Sequence, residues 1–460
     1  MPQPVRSERP RTEIRGPSGP GRFRFLLLVL TLAPLVPAGD ALGERAESHT
    51  RLERSVPADG DVLAVVPDEA LLEFSTGVEP TLSRLVLRFP TGDSILLKVT
   101  GVPGASNRIG ASLPVLEPGR HSIAWSTVSA DGHRASGTIE FSVVGVEEAA
   151  SSAAEAPTST GPADPEPVIS EPVTSEPATG PSLRRTLFRG LGLAFLLAAA
   201  GVLWFAGGSG LVREPSVLRA ASATALLATV LLGLDYLDWL LDVRPTDMGL
   251  FAGFAAAVRT RIGIVEGGRV LLAGLTFFLA GGARAGRIAG FFAMLAVVVG
   301  AAAGHPATIE PAMALPANAL HLGAAAIWLG GVLLLAVLPD HPETPQGGWQ
   351  YHEVASRVSS RAFLAVGVII GTAFLQDLLF LGDPSFLLST DYGRLVLAKG
   401  AGFALLVAFG AWHRWKTLPR LVATGDASHL RLAVRIEIFV MAVVVLVAAW
   451  LAMTVPPVAG

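Results

Sequence analysis

The chain has 460 residues, 51% of them hydrophobic and only 16% charged, with a mean hydropathy of +0.53. That is too apolar for an ordinary soluble protein and leaves room for a small soluble domain beside a multi-helix membrane domain. A formal net charge of -3 gives no electrostatic footprint for a nucleic acid, and the lack of cysteine excludes disulfides, thiolate metal sites and cysteine nucleophiles.

Residues 1–24 are polar and Arg-rich, and 25–37 form a short apolar run. A basic flank, a short apolar core and small residues after it read as a secretory leader, since the run is too short to span a bilayer. Ala38, Ala41 and the step Ala46-Glu47-Ser48 all satisfy the small-residue rule for cleavage. The last would leave His49 at the mature N-terminus. The leader is therefore expected over 1–48.

Residues 49–145 read as a compact β domain. Short β-rich runs at 63–66, 70–74, 83–89, 94–99, 122–128 and 137–144 alternate with turn signals such as Pro57-Ala58-Asp59-Gly60 and Pro90-Thr91-Gly92-Asp93. Strands at this spacing predict a small sandwich. Residues 146–183 are Ala, Ser, Thr, Glu and Pro with almost no large apolar side chain, a linker that cannot bury a core.

From residue 184 to 456 the chain reads as an all-α membrane domain. Eight apolar runs long enough to span lie near 186–208, 216–242, 266–283, 286–304, 316–338, 360–382, 394–414 and 432–454. A secreted β domain places the first run's start outside, and eight spans return the C-terminus outside. Inner loops would then hold Arg213, Arg284, Arg287, Arg357, Arg361, Arg414, Lys416, Arg420, Arg431 and Arg435, in agreement with the positive-inside rule. Arg244, Arg259 and Arg261 fall in an outer loop and run against it.

Ionisable residues inside membrane spans are rare and point to function. His305 closes the fourth expected span and His321 opens the fifth, so both are expected at the outer face. Asp235 and Asp238, three apart in the outer part of the second span, share a helix face. Imidazole with carboxylate suits a first-row metal; water or backbone could equally satisfy interfacial polar groups. In the β domain, Asp131-Gly132-His133 could bring two side chains to one metal, with His49 adding an imidazole and an α-amine. Asp-Gly is also simply a turn dipeptide. His121 reads as structural, Lys399 as snorkelling or paired, and His341, His352, His413 and His429 as solvated inner-loop residues.

A family resemblance orders these candidates. The segment from His49 to Gly60, with Ser129-Ala130-Asp131-Gly132-His133 downstream, resembles the CopC copper-binding domain. The later part is similar to CopD in Gly304-His305, Ala319-Leu320-His321, Trp328-Leu329-Gly330-Gly331, Tyr392-Gly393-Arg394 with Lys399, and Arg435-Ile436-Glu437. The first resemblance implies a Greek-key β-sandwich of cupredoxin type with Cu(II) held by His49, Asp131 and His133. The absence of methionine between 49 and 145 excludes a Met-rich Cu(I) site there. The second implies copper movement across the inner membrane towards the cytoplasm, in copper homeostasis or resistance. The expected partners are the copper ion, the bilayer and a soluble periplasmic copper chaperone, with no nucleic acid. No catalytic set and no G-x-x-x-x-G-K-[ST] motif is present, so neither an enzyme nor ATP-driven transport is expected. The alternatives are an extracytoplasmic copper buffer or sensor, and a haem-binding membrane oxidoreductase using spans' histidines as ligands.

Overall fold

A computed structural model describes residues 50–130, 132–144, 182–209, 211, 214–245, 247–281, 286–307, 309–339, 350–454 and 456–457. The expected leader 1–48, His49, Asp131 and the expected linker apart from Ser182 and Leu183 lie outside these residues.

Among the described residues, nine strands build the β domain: β1 (Leu52–Val56), β2 (Val62–Leu63), β3 (Glu69–Phe74), β4 (Arg84–Arg88), β5 (Ser94–Leu97), β6 (Thr100–Val102), β7 (Ala105–Ser112), β8 (Gly119–Val128) and β9 (Arg134–Val143). They form two sheets of order β1-β3-β7-β6 and β2-β9-β8-β4-β5. The non-consecutive pairs β3–β7 and β4–β8 are the crossovers of a Greek-key sandwich. Alternation sets the core: Ala70, Leu72 and Phe74 of β3 and Leu85 and Leu87 of β4 are buried, as are Ile123 and Trp125 of β8 and Ile139 and Phe141 of β9. Phe74 meets Trp125 edge-on, ring centroids 5.3 Å apart. His121 is buried among them, stacked on Phe141 with Nε2 2.8 Å from the Glu117 carbonyl. It is a core residue, as its strand position suggested.

The membrane domain is helical: α1 (Leu183–Ser209), α2 (Pro215–Val243), α3 (Leu250–Ala257), α4 (Arg261–Ala280), α5 (Gly286–Gly300), α6 (Pro311–Val337), α7 (Tyr351–Phe380), α8 (Phe386–Ser389), α9 (Asp391–Trp412), a π-turn (His413–Thr417), α10 (Leu418–Thr424) and α11 (Ser428–Met453). Among the described residues, seven segments are long and apolar enough to cross a membrane, one of them running from Asp391 to Thr424. The remaining span of the expected eight, α5, has only 15 residues. That is about 22 Å of helix against a hydrocarbon core of roughly 30 Å. Its expected end at 304 is instead a loop.

The β domain docks on one end of the bundle. There Leu82 and Val128 of the sandwich share a buried cluster with Tyr236, Trp239, Leu240 and Val243 of α2, Ala257 of α3 and Ile262 of α4. A second cluster at this end joins Ala314 of α6, Phe380 of α7, Tyr392 of α9 and Leu451 of α11. The spans thus alternate in direction, and α6 and α9 both run away from the β domain.

At the centre α1 crosses α6 backbone to backbone. A Cβ on Gly201 would sit 1.9 Å from the Ala326 carbonyl oxygen, and one on Gly330 would sit 2.3 Å from the Gly201 Cα. Such close approach is how small residues pack spans in lipid. Gly201→Ala is expected to destabilise the detergent-solubilised protein by about 1–3 kcal/mol through overpacking. Gly268→Ala, which meets nothing within 4 Å, should be neutral or stabilising in the same thermal melts.

Candidate metal site at the domain interface

The β8–β9 hairpin pairs without interruption from Gly119 opposite Val143 to Val128 opposite Arg134. Its loop is Ser129–His133, and the loop is held closed. The Ser129 amide donates to the His133 carbonyl at 2.8 Å, the Ser129 hydroxyl donates to the same oxygen at 2.9 Å, and the Gly132 amide donates to the Ser129 carbonyl at 2.9 Å. The Ala130 amide is bonded to the Gly77 carbonyl at 2.8 Å. Gly132 has φ +94°, and a Cβ there would also press on Ile262 and Trp239. Turn geometry and docking therefore both select glycine. His133 emerges from this loop half-buried.

The membrane domain grips the loop by its carbonyls. The Trp239 indole N–H donates to the Gly132 carbonyl at 3.0 Å. The Arg261 guanidinium donates to the Ala130 carbonyl at 2.7 Å and to the Ala302 carbonyl at 3.0 Å. One cation thus joins the β-domain loop to the α5–α6 loop. Arg134 adds a contact to the Asp242 carbonyl at 3.3 Å. The Arg84–Asp247 pair, 3.3 Å apart, is exposed enough to add little.

The same Ala302 loop carries His305 in a short 3-10 turn, His305–Ala307, and buries it. The His305 ring stacks on the His133 ring, centroids 5.8 Å apart and planes inclined by 15°. Two imidazoles from different domains are thereby brought together.

His321 does not join them. It lies ten residues into α6 from Pro311, about 15 Å along the axis, so it is inside the span and not at its mouth. Its Nδ1 is 3.0 Å from the Thr372 hydroxyl on α7. That hydroxyl donates its single proton to the Val368 carbonyl at 2.7 Å. It must therefore accept from His321, which puts the proton on Nδ1 and leaves the lone pair on Nε2. The two span histidines differ in depth, which does not suit the axial pair of one haem.

Asp235 and Asp238 are engaged by arginines. Asp235, 1% exposed, has Arg189 at 3.0 Å, Arg185 at 3.5 Å and Arg269 at 3.9 Å. Arg189 also reaches Glu266 at 3.2 Å, Glu266 pairs with Arg269, and Asp238 pairs with Arg184. This network ties α1, α2 and α4 together a turn below Trp239, and brings neither aspartate to a histidine. Among the described residues no group of three or more histidine, aspartate or glutamate side chains gathers at metal-binding distance.

His413 is a correction. It was expected to be solvated, but its Nε2 lies 3.0 Å from Oε2 of Glu437, a residue 2% exposed, and the His413 side chain is largely buried. A lone acid in the apolar run of α11 was the signal for it. His352 and His429 lie at the far end as expected, His429 exposed; His341 lies outside the described residues.

Comparison with known proteins fits this two-part build. The CopC domain family model matches residues 52–144, and that of copper resistance protein D, CopD, matches 352–451. The chain is 24% identical over 420 residues to the copper transport protein CutJ of Bacillus subtilis, covering 85% of this chain and 71% of that one. It is 28% identical over 127 residues to protein YobA of Escherichia coli, covering 26% of this chain and 94% of that one. Among solved structures, CopC from Methylosinus trichosporium is 29% identical, with a TM-score of 0.20 over 21% of this chain and 93% of that one. The methionine-rich PcoC of Escherichia coli is 27% identical, with a TM-score of 0.18 over 21% and 99%.

Two outcomes are expected at the interface. Replacing Arg261 by Ala strands both the Ala130 and Ala302 carbonyls, each worth about 1–3 kcal/mol when left buried and unpaired. Labels on introduced cysteines, in a chain with none of its own, should then show the β domain moving away from the bundle by energy transfer. Glu79 supplies a pH dependence. Burial pushes its carboxyl above the ordinary 4.5, and the Arg261 N–H and guanidinium oppose this only in part. The folded form therefore holds that proton more tightly than the unfolded chain. Glu79's favourable share of stability is complete below 4.5 and is lost as pH rises through the raised value. Glu79→Gln should flatten that dependence in thermal melts of the full chain taken across this pH range.

Proposed function

Given that this chain is a CopC domain joined to a CopD-type membrane domain, we propose that it captures Cu(II) outside the cytoplasm and passes copper inward across the membrane. The observation that carries this is the stack of His133 on His305. In this scheme His133 holds the ion together with Asp131 and His49, as the family resemblance implies, and copper enters as cargo. An ion released by His133 meets the next imidazole, His305, without crossing open solvent. The clamped loop fixes that juxtaposition, so transfer needs a small side-chain movement and no domain motion.

His321 is the following station. Thr372 fixes its ring and raises the donor power of Nε2, the service an outer-shell partner gives a metal-ligating imidazole. A neutral imidazole suits copper.

The orientation rests on charge. Arg287, Arg357, Arg361, Arg414, Lys416, Arg420, Arg431 and Arg435 lie at the end of the bundle away from the β domain, where the positive-inside rule puts the cytoplasm. Of the three near-side arginines that oppose it, Arg261 is committed to the interface and Arg244 to the Met248 carbonyl. The β domain is then extracytoplasmic, with residues 1–48 as its leader and 146–183 as its tether. The chain serves copper homeostasis, supplied by a soluble copper carrier or by free ion.

Cytoplasmic copper in cells expressing wild type, His133→Ala, His305→Ala or His321→Ala tests this. Wild type should raise it. His305→Ala and His321→Ala should lower uptake by at least the ~10–100-fold that loss of an outer-shell partner alone produces at metal sites. His133→Ala should act mainly at low external copper. If no variant differs from wild type while the β domain still binds Cu(II), the chain is an extracytoplasmic buffer or sensor.

A further inference from the structure

We propose that copper binds at His321 in exchange for a proton held on Lys399, with Asp377 carrying that proton to the outer face. This rests on His321 being a copper station, as proposed above, and couples the passage to protons.

Ring packing sets the register of α6 and α9. Trp328 of α6 and Phe403 of α9 meet edge-on, centroids 5.8 Å apart. Lys399 precedes Phe403 by four residues and His321 precedes Trp328 by seven, so each lies on the face its ring marks. Both helices run away from the β domain. From the ring contact Lys399 is therefore about 6 Å, and His321 about 10 Å, back towards that domain. Helical side chains lean towards the start of their helix, so the Lys399 ammonium rises to the level of the imidazole. On the third side, Thr372 of α7 is bonded to His321 Nδ1 at 3.0 Å. Asp377 stands five residues, about 8 Å, further out, one turn from the end of α7 at Phe380. Lys399 is within electrostatic reach of both the imidazole and the Asp377 carboxylate. Among the described residues, however, neither a hydrogen bond nor an ion pair holds it. Tyr392 is the other group near Asp377. At the mouth of α9, Asp391 and Arg394 pair with each other at 3.0 Å. α11 packs on α9 at Gly402 and Val444 and has no ionisable side chain between Glu437 and Met453.

Charge balance carries the exchange. An ammonium inside a span needs a counter-charge, and Asp377 is the acid that supplies it here. The empty site thus holds one positive and one negative charge. A copper ion arriving beside the ammonium meets like charge, which the low dielectric of a span leaves poorly screened. When Lys399 gives up its proton, the ion takes its place as partner of Asp377. The Lys399 N–H bond breaks, its electron pair stays on Nζ, and the proton passes to the Asp377 carboxylate and out to solvent. No electron is transferred. Lysine's flexible four-carbon stem spans the gap between its resting place and the acid. When copper leaves for the far end of the bundle, Lys399 is protonated again.

The test uses the full chain with His133→Ala, which weakens copper binding by the β domain, and copper alone as the probe. Titration in detergent with a pH-stat counts the protons released per copper bound. This chain should release one more proton than the same chain carrying Lys399→Met, and adding His321→Ala should remove that same proton. Its copper affinity should weaken by about tenfold more per unit fall in pH than that of the Lys399→Met chain, the slope of a single displaced proton. Lys399→Arg, which keeps the charge permanently, should block binding at His321 at every pH. Matching thermal melts show that each variant is folded. Proton release and pH slope unchanged by Lys399→Met, or unchanged binding with Lys399→Arg, overturn the proposal. Proteoliposomes separate it from the passage reading. Wild type filling faster at higher external pH, with Lys399→Met losing that dependence, supports both. Filling by both with one pH profile overturns the exchange and leaves passage standing. No filling by wild type, with the Lys399 proton still released on binding, sinks passage and leaves the exchange.

Discussion

The Arg261 guanidinium holds the two halves of this protein in register. It donates to Ala130 in the β-domain loop and to Ala302 in the loop that carries His305. Both acceptors are backbone carbonyls, so the contact fixes the paths of two chains and not merely two side-chain tips. Trp239 takes the carbonyl two residues on, at Gly132. With Ala130 and Gly132 both held, His133 just after is fixed relative to His305. The loop's own bonds through Ser129 make it a rigid object to grip. Remove the cation and the histidine stack loses its frame.

Below that interface lies a second constraint. Asp235, Glu266, Arg185, Arg189 and Arg269 are buried together in the outer part of the bundle. Charges in such surroundings are tolerated only when paired, and leaving one unpaired is strongly destabilising. The network therefore fixes the spacing of α1, α2 and α4 and so the platform on which Trp239 and Arg261 stand. Gly300 of α5 packs against Arg269, where a Cβ would meet Cδ at 2.8 Å. The platform thus extends to the helix leading into the His305 loop.

Much of this was legible in the sequence. Alternation and turns gave the sandwich, and apolar runs gave the spans. Missing from the strand reading were β1, whose Glu-Arg-Ser centre hides its period, and β6 and β7, where Gly, Ser, Asn and Ala dilute it. Tertiary pairing of β3 with both β1 and β7 overrides those weak propensities. The short apolar α3 was absorbed into an outer loop. The anomalous near-side arginines were visible, yet their purpose was not, because a cation serving carbonyls across domains leaves no spacing signature. His305 and His321 looked equivalent because helix boundaries are poorly marked. The early start of α6 at Pro311 carries His321 into the span and leaves His305 in the loop before it. His413 was misjudged for the complementary reason, since its partner Glu437 is 24 residues downstream on another helix.

Whether the two domains share the ion is decided at the metal. One equivalent of Cu(II) added to the full chain can be followed by pulsed electron paramagnetic resonance, comparing wild type with His305→Ala. Handover through the ring pair predicts that wild type shows imidazole nitrogen coupling from the membrane domain and that His305→Ala loses it while His133 still binds. Identical nitrogen coupling in the two proteins would contradict it, and His133 would then hold copper without any path into the bundle.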